Sequence, residues 1–162
     1  MGDRPNRAAG VTGHRRLASD VRQRVCAEVR RILDVERVDT GYSSLAPGAD
    51  QIFAQLILSR GASLVSVRPF ARYADTLSGT DRSEYVALRR RASRVIELPF
   101  VEPSNEAFLA AGRRVVDEVD LLIAVWDGRP AGGLGGTGDV VSYARERNMR
   151  VAVVWPPGSR RL

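Results

Sequence analysis

Short apolar runs alternate along the chain with longer amphipathic stretches, and this alternation predicts the elements. Six runs read as strands: Ala8–Thr12, Val38–Leu45, Ala62–Val67, Arg94–Leu98, Leu121–Trp126 and Arg150–Trp155. Leu121-Leu122-Ile123-Ala124-Val125-Trp126 is unbroken, which fits a strand buried on both faces of a parallel sheet. Val38–Leu45 is the weakest, being rich in Thr, Ser and Tyr. Between the runs, apolar positions recur at helical spacing. Val21, Val25, Val29, Ile32 and Leu33 form one stripe behind a Ser19 cap, with Arg22, Arg24, Glu28, Arg30 and Arg31 opposite. Ile52, Phe53, Leu56 and Ile57 form a second stripe, stopped by Gly61. A short helix is expected over Ser83–Ala92. Ser104 can cap a helix from Asn105 to about Glu118, with Phe108, Leu109, Val115 and Val116 facing inward. A last helix runs through Val140–Ala144 from a Thr137 cap. Residues 71–84 read as a long loop after Pro69, and the region Arg68–Asp81 as either a lid over the ligand with Tyr73 as a stacking residue or an ordinary solvated loop.

Strands alternating with helices at this spacing predict right-handed βαβ units. The expected fold is α/β: a single Rossmann-like three-layer domain, a mostly parallel sheet of about six strands with helices on both faces. A chain of 162 residues suits one domain. It is expected over 8–155, between a disordered N-terminus (1–7) and a frayed tail (156–162). No apolar run approaches a membrane span and no hydrophobic signal region opens the chain, so no membrane partner and a cytoplasmic location are expected. Cys26, the single cysteine, falls in a helical pattern and excludes an internal disulfide. No His/Cys/Asp spacing suggests a metal site.

The formal charge is +6, which invites a nucleic-acid reading. However, every basic side chain is arginine and the arginines are scattered, as in a solvated, arginine-biased surface. Arg89-Arg90-Arg91 is the densest cluster.

Candidate chemistry gathers where strands end. In a parallel α/β sheet, ligands bind beyond the carboxyl ends of the strands, at the switch in strand order. Gly13-His14-Arg15 follows the first strand, Pro47-Gly48-Ala49-Asp50 the second, Arg68 the third, and the Asp127–Asp139 stretch the fifth. That last stretch carries glycines at 128, 132, 133, 135, 136 and 138 before a helix. Such a turn places backbone N–H groups at a helix N-terminus, where they and the dipole favour a phosphate.

Val11-Thr12-Gly13-His14-Arg15, Pro47-Gly48-Ala49-Asp50, and Asp127-Gly128 followed by Gly135-Gly136-Thr137 together resemble the SLOG superfamily of Rossmann-like proteins. That superfamily joins the Lonely Guy (LOG) nucleotide phosphoribohydrolases with the DNA-processing DprA group. The likeness is greatest to its uncharacterised bacterial members, through Asp120–Gly128 and Gly136–Val141, and spans about residues 8–155. The resemblance implies a Rossmann-like core, a nucleotide or nucleotide-derived ligand on the glycine turns, and a homodimer. LOG hydrolases carry a glutamate three residues after the turn threonine, where this chain has Val140. Asp139, one residue earlier, points about a quarter-turn away on a helix.

The expected ligand-binding residues are therefore Thr12, Gly13, His14, Arg15, Gly48, Asp50, Arg68, Asp127, Gly128, Gly135, Gly136, Thr137 and Asp139. His14 can donate to a phosphate or be an ordinary loop residue, and Arg15 can grip a phosphate in bidentate fashion. Asp50 either compensates a helix N-terminus or accepts from a ribose hydroxyl. Trp126 can stack on a base or pack in the core, and nothing pairs Ser43 or Ser44 with a base for nucleophilic work. No cofactor beyond a nucleotide-type ligand is implied. The leading expectation is a sensor or carrier of a phosphorylated nucleotide-derived metabolite. The second is LOG-like N-glycosidic hydrolysis, with Asp139 or Asp50 as the catalytic carboxyl. The third is DprA-like nucleic-acid binding through Arg89-Arg90-Arg91.

Overall fold

The computed structural model describes residues 7–130 and 134–160; Gly132 and Gly133, the first six residues and the last two lie outside them. The six strands are β1 (Arg7–Gly13), β2 (Val38–Ser43), β3 (Ser63–Arg68), β4 (Arg94–Glu97), β5 (Leu121–Val125) and β6 (Arg150–Val154). All neighbouring pairs are parallel, in the order β4-β3-β2-β1-β5-β6. The five α-helices are α1 (Ser19–Val35), α2 (Ala49–Ser59), α3 (Gly79–Arg91), α4 (Asn105–Glu118) and α5 (Thr137–Glu146). Helices α1, α2 and α3 cover one face of the sheet, and α4 and α5 cover the other. The molecule is an α/β Rossmann-like fold in three layers.

Strand β5 is buried at every position, as its continuous apolar run requires. The α1 stripe is buried as well: Val21, Val25, Val29, Ile32 and Leu33 all face the core. Ser104 caps α4 by accepting the Ala107 N–H at 3.0 Å. Two other caps sit one residue earlier than the sequence suggests. Ser19 and Thr137 are the first helical residues, with Ala18 and Gly136 in the cap positions.

The stretch after β3 differs most from expectation. It contains a 3-10 turn (Tyr73–Thr76), and α3 starts at Gly79 rather than near Ser83. Phe70 and Tyr73 are fully buried and Leu77 nearly so. Phe70, Tyr73, Tyr85 and Phe108 meet edge to face, with centroids 5.2 to 6.3 Å apart. Phe70, Tyr73 and Leu77 anchor this stretch to the core, while most of its other side chains stay exposed. At the other end, residues 156–160 turn back onto α1, where Arg24 donates to the Pro157 carbonyl at 2.9 Å.

Strand order decides where a site can form. Strand β1 lies between β2 and β5, and the connections leave it in opposite directions on either side. The turns after β1 and β5 therefore diverge around a crevice. The long β4–α4–β5 crossover carries α4 back across the sheet, so α4 lies against β1, β2 and β3.

Candidate functional site

Three turns interlock at the carboxyl edge. Gly13 ends β1 so close to α2 that a Cβ there would lie 2.5 Å from Ala49 Cβ and 2.8 Å from Val125 Cβ. Gly48, at φ +79°, passes the next turn so tightly that its Cβ would lie 2.4 Å from the Arg15 carbonyl oxygen and 2.5 Å from that of His14. The Ala49 N–H donates to that same His14 carbonyl at 3.2 Å. Only glycine permits such an approach in that conformation.

The β2–α2 turn is held by Ser43, which is fully buried. Its Oγ accepts the Leu45 N–H at 3.0 Å and donates to the Asp50 carbonyl at 3.3 Å. Leu45, also fully buried, is held at φ +59°, a left-handed conformation that costs a non-glycine residue on the order of 1–2 kcal/mol. The Asp50 carboxylate turns back to accept the Ala46 N–H at 3.3 Å. Burial pushes the Asp50 carboxyl up to about 7, against the lowering effects of that hydrogen bond and of nearby Arg15.

The turn before α5 is built differently. Gly135 sits at φ +89°, and a Cβ on it would lie 2.8 Å from the Asn105 carbonyl oxygen. Asp139 Oδ2 accepts the Gly135 N–H at 2.9 Å, a reach back across the first turn that fixes the entry of the chain into α5. The amides of Gly136, Thr137 and Gly138 open α5, where an α-helix offers no internal acceptor.

These turns enclose a cleft of about 470 Å³. Thr12, Gly13, His14, Arg15, Asp50, Gly135, Gly136 and Thr137 border it, so eight of the thirteen expected residues are brought together. The other five are not in its lining. Gly48 faces a neighbouring polar cavity of about 490 Å³, bordered by Arg15, Arg16, Arg22, Gln51 and Glu84. Arg68 is turned to the sheet edge, where it pairs with Glu97 of β4. Gly128, at φ +83°, is on the exposed outer part of its loop. Asp127 and His14 are engaged with each other. The Asp127 N–H donates to His14 Nε2 at 3.2 Å, and Asp127 Oδ1 lies 3.5 Å from that atom. Asp127 Oδ1 also accepts the Arg129 N–H at 3.0 Å, and the His14 ring meets Trp155 edge-on at 5.3 Å. His14 thus pins the β1 turn to the β5 turn. Trp126, whose Nε1 donates to the Arg129 carbonyl at 2.8 Å, braces the same loop from outside the cleft.

Apart from Tyr73, which the sequence offered as a stacking residue, the rest of the lining was not legible as a site in the sequence. Ala111, Gly112 and Val115 come from α4, and Val140 from α5. The helices touch so closely that a Cβ on Gly112 would lie 2.4 Å from Val140 Cγ2. Ser44, Tyr73, Asn105 and Phe108 complete the polar and aromatic wall. The small Ala110-Ala111-Gly112 run in mid-helix was the one available signal, since it marks a close approach. Arg15 is exposed at the rim, its guanidinium over the Phe108 ring at 5.2 Å. Among the described residues no cluster of His, Cys, Asp and Glu could hold a metal ion, and no helix is long and apolar enough to cross a membrane.

No protein-family model matches the sequence, and no curated protein matches it. Solved structures do match the fold. DNA processing protein A (DprA) from Streptococcus pneumoniae superposes with a TM-score of 0.68 at 17% identity, over 94% of this chain and 52% of that one. DprA from Helicobacter pylori, described for its single-stranded DNA binding mode, gives 0.66 at 19% identity, over 94% and 67%. The molybdenum cofactor carrier protein of Chlamydomonas reinhardtii gives 0.59 at 13% identity, over 91% and 75%. The chain spans about half the length of the Streptococcus protein. Its fold is a Rossmann-like one shared with DprA.

Proposed function

We propose that the cleft binds a nucleotide or nucleotide-derived phosphorylated metabolite, as a sensor or carrier. The observation that carries this reading is the meeting of the Gly13 turn and the Gly135-Gly136-Thr137 turn around one cleft, with the N-terminus of α5 opening into it. The α5 amides and dipole supply the anion subsite, and Arg15 supplies an exposed cation at the rim. A cleft of about 470 Å³ suits a small organic ligand rather than a bare anion. Fold neighbours described as a molybdenum cofactor carrier and as a DNA-binding protein are compatible with ligands that carry phosphate groups. Isothermal titration of the folded protein with nucleoside monophosphates tests it. A measurable Kd for at least one supports the reading, and no binding to any phosphorylated nucleoside overturns it. A homodimer belongs to the same proposal, and sedimentation velocity checks it.

LOG-like hydrolysis is the weaker reading, for two reasons. Asp139 spends its carboxylate on the Gly135 amide and is not in the cleft lining. Val140 presents an apolar side chain where the hydrolases carry a glutamate. Release of free base from nucleoside monophosphates, abolished by Asp139→Asn, would restore it. The DprA fold match favours a second reading, nucleic-acid binding. Arg89, Arg90 and Arg91 form the last turn of α3, where they also complement the helix dipole. A gel shift that weakens steeply as salt rises would support this reading.

A further inference from the structure

The lining of the cleft changes character from one end to the other. The α5 turn lies beyond β5, on one side of β1. Ser44 and Asp50 lie beyond β2, and Tyr73 beyond β3, on the other side. Positions flanking β1 are two strand spacings apart, about 10 Å. That separation matches the length of a nucleoside monophosphate rather than that of a phosphate.

Between the two ends the walls are apolar: Ala111, Val115 and Val140, with the Phe108 ring toward the rim. Tyr73 stands at the far end, fully buried, and its Oη finds no hydrogen-bond partner among the described residues. A buried hydroxyl left without a partner costs about 1–3 kcal/mol, so such a group needs an explanation. Three other buried hydroxyls differ from it, of which Ser159, in the segment after β6, is not in the cleft lining. Tyr85 has Arg89 beside it, and Ser66 is sealed inside β3, away from the cleft. Of the unpartnered hydroxyls, Tyr73 alone borders the cleft, close enough to Arg15 and Asp50 to feel both charges.

Resting on the nucleotide reading above, we propose that Tyr73 Oη, with Ser44 and Asp50, forms a hydrogen-bonding subsite that reads the polar edge of the ligand's nucleobase, while the α5 turn holds its phosphate. The apolar walls take the faces of the ring. The far wall supplies donors and acceptors that a sugar phosphate leaves unmet. Discrimination by hydrogen bonding is strong in such a site, because the wrong ligand leaves buried polar groups unpaired.

The test is calorimetric titration of the wild-type protein and Tyr73→Phe with AMP, GMP, ribose 5-phosphate and inorganic phosphate. The wild-type protein is expected to bind AMP or GMP about tenfold more tightly than ribose 5-phosphate. Tyr73→Phe is expected to erase that margin, leave ribose 5-phosphate and phosphate affinity unchanged, and keep the wild-type Tm or exceed it. Ser44→Ala is expected to narrow the margin without changing the affinity for phosphate. Unchanged nucleotide affinity in Tyr73→Phe overturns the proposal while leaving phosphate binding intact. Equal wild-type affinity for ribose 5-phosphate and both nucleotides also overturns it. A uniform loss over every probe, with a lowered Tm, assigns Tyr73 to packing and overturns it too. Failure of all four probes to bind wild-type protein overturns the nucleotide reading itself.

Discussion

A Cβ built on Gly13 lies 2.5 Å from the Cβ of Ala49, closer than two such carbons pack. The end of β1 and the first residue of α2 are thus joined at a point where no side chain fits. The obstructing atom is a β-carbon fixed by the helix backbone, so it cannot swing aside. Gly13→Ala is expected to destabilise the protein by about 1–3 kcal/mol and to weaken nucleotide binding by separating the turns. Urea unfolding monitored by circular dichroism, paired with titration of AMP, checks both effects.

Ser43 satisfies a buried amide at a strained position, since its Oγ accepts from Leu45 at φ +59°. Ser43→Ala leaves that N–H without its acceptor and should cost about 1–3 kcal/mol. Ser43→Thr keeps the oxygen but adds a methyl group to a fully buried site, and should recover only part of that loss. Denaturant midpoints for the two variants decide it.

Asp50 makes stability depend on pH. Burial raises its pKa from the ordinary 3.8 to about 7, so the folded protein holds a proton that the unfolded chain releases at lower pH. Its contribution is full below the ordinary carboxylate range and is lost as pH rises to about 7, beyond which it is flat. From pH 5 to pH 8 the unfolding free energy of the wild-type protein should fall, by at most about 3 kcal/mol from this residue. Asp50→Asn should remove that slope and be the more stable protein at pH 8. Parallel slopes for the two proteins would refute the assignment.

Arg15 and Asp139 separate binding from architecture. Arg15 is exposed, and its ring contact with Phe108 is its one aromatic partner among the described residues. Arg15→Ala should weaken AMP binding by about tenfold or more, as expected for a charge-assisted contact, and change Tm little. Asp139 holds the Gly135 amide. Asp139→Asn should lower stability by about 1 kcal/mol, as for loss of a helix-start contact, with no base-releasing activity to lose. Thermal scans and a chromatographic assay for free base distinguish the two roles.

The periodicity of the chain was enough to place six strands and the helices, because each element buries an apolar face whose spacing is written locally. The run Leu121–Trp126 fits a strand buried on both faces, and β5 (Leu121–Val125) lies inside the sheet, between β1 and β6. Gly13, Gly135 and Gly136 were readable as turns at the carboxyl edge for the same reason, since a glycine-rich strand–helix junction is written locally. Residues 71–84 misled because their polar side chains hide one aromatic anchor, Tyr73, next to Phe70 just before them. Tyr73 and Phe70 are buried only because Tyr85 and Phe108 arrive from α3 and α4.

By itself, then, the sequence determined the alternation of elements, the parallel sheet and the edge of that sheet to which its glycine turns belong. The tertiary structure decided which residues share the cleft. It paired His14 with Asp127, turned Arg68 toward Glu97, and brought Ser44, Tyr73, Asn105 and Val140 to the wall. The physical reason is range. Apolar spacing and turn chemistry act over a few residues, whereas the wall joins α4, carried back by the β4–α4–β5 crossover, to residues that follow β2, β3 and β5, a meeting no local pattern encodes.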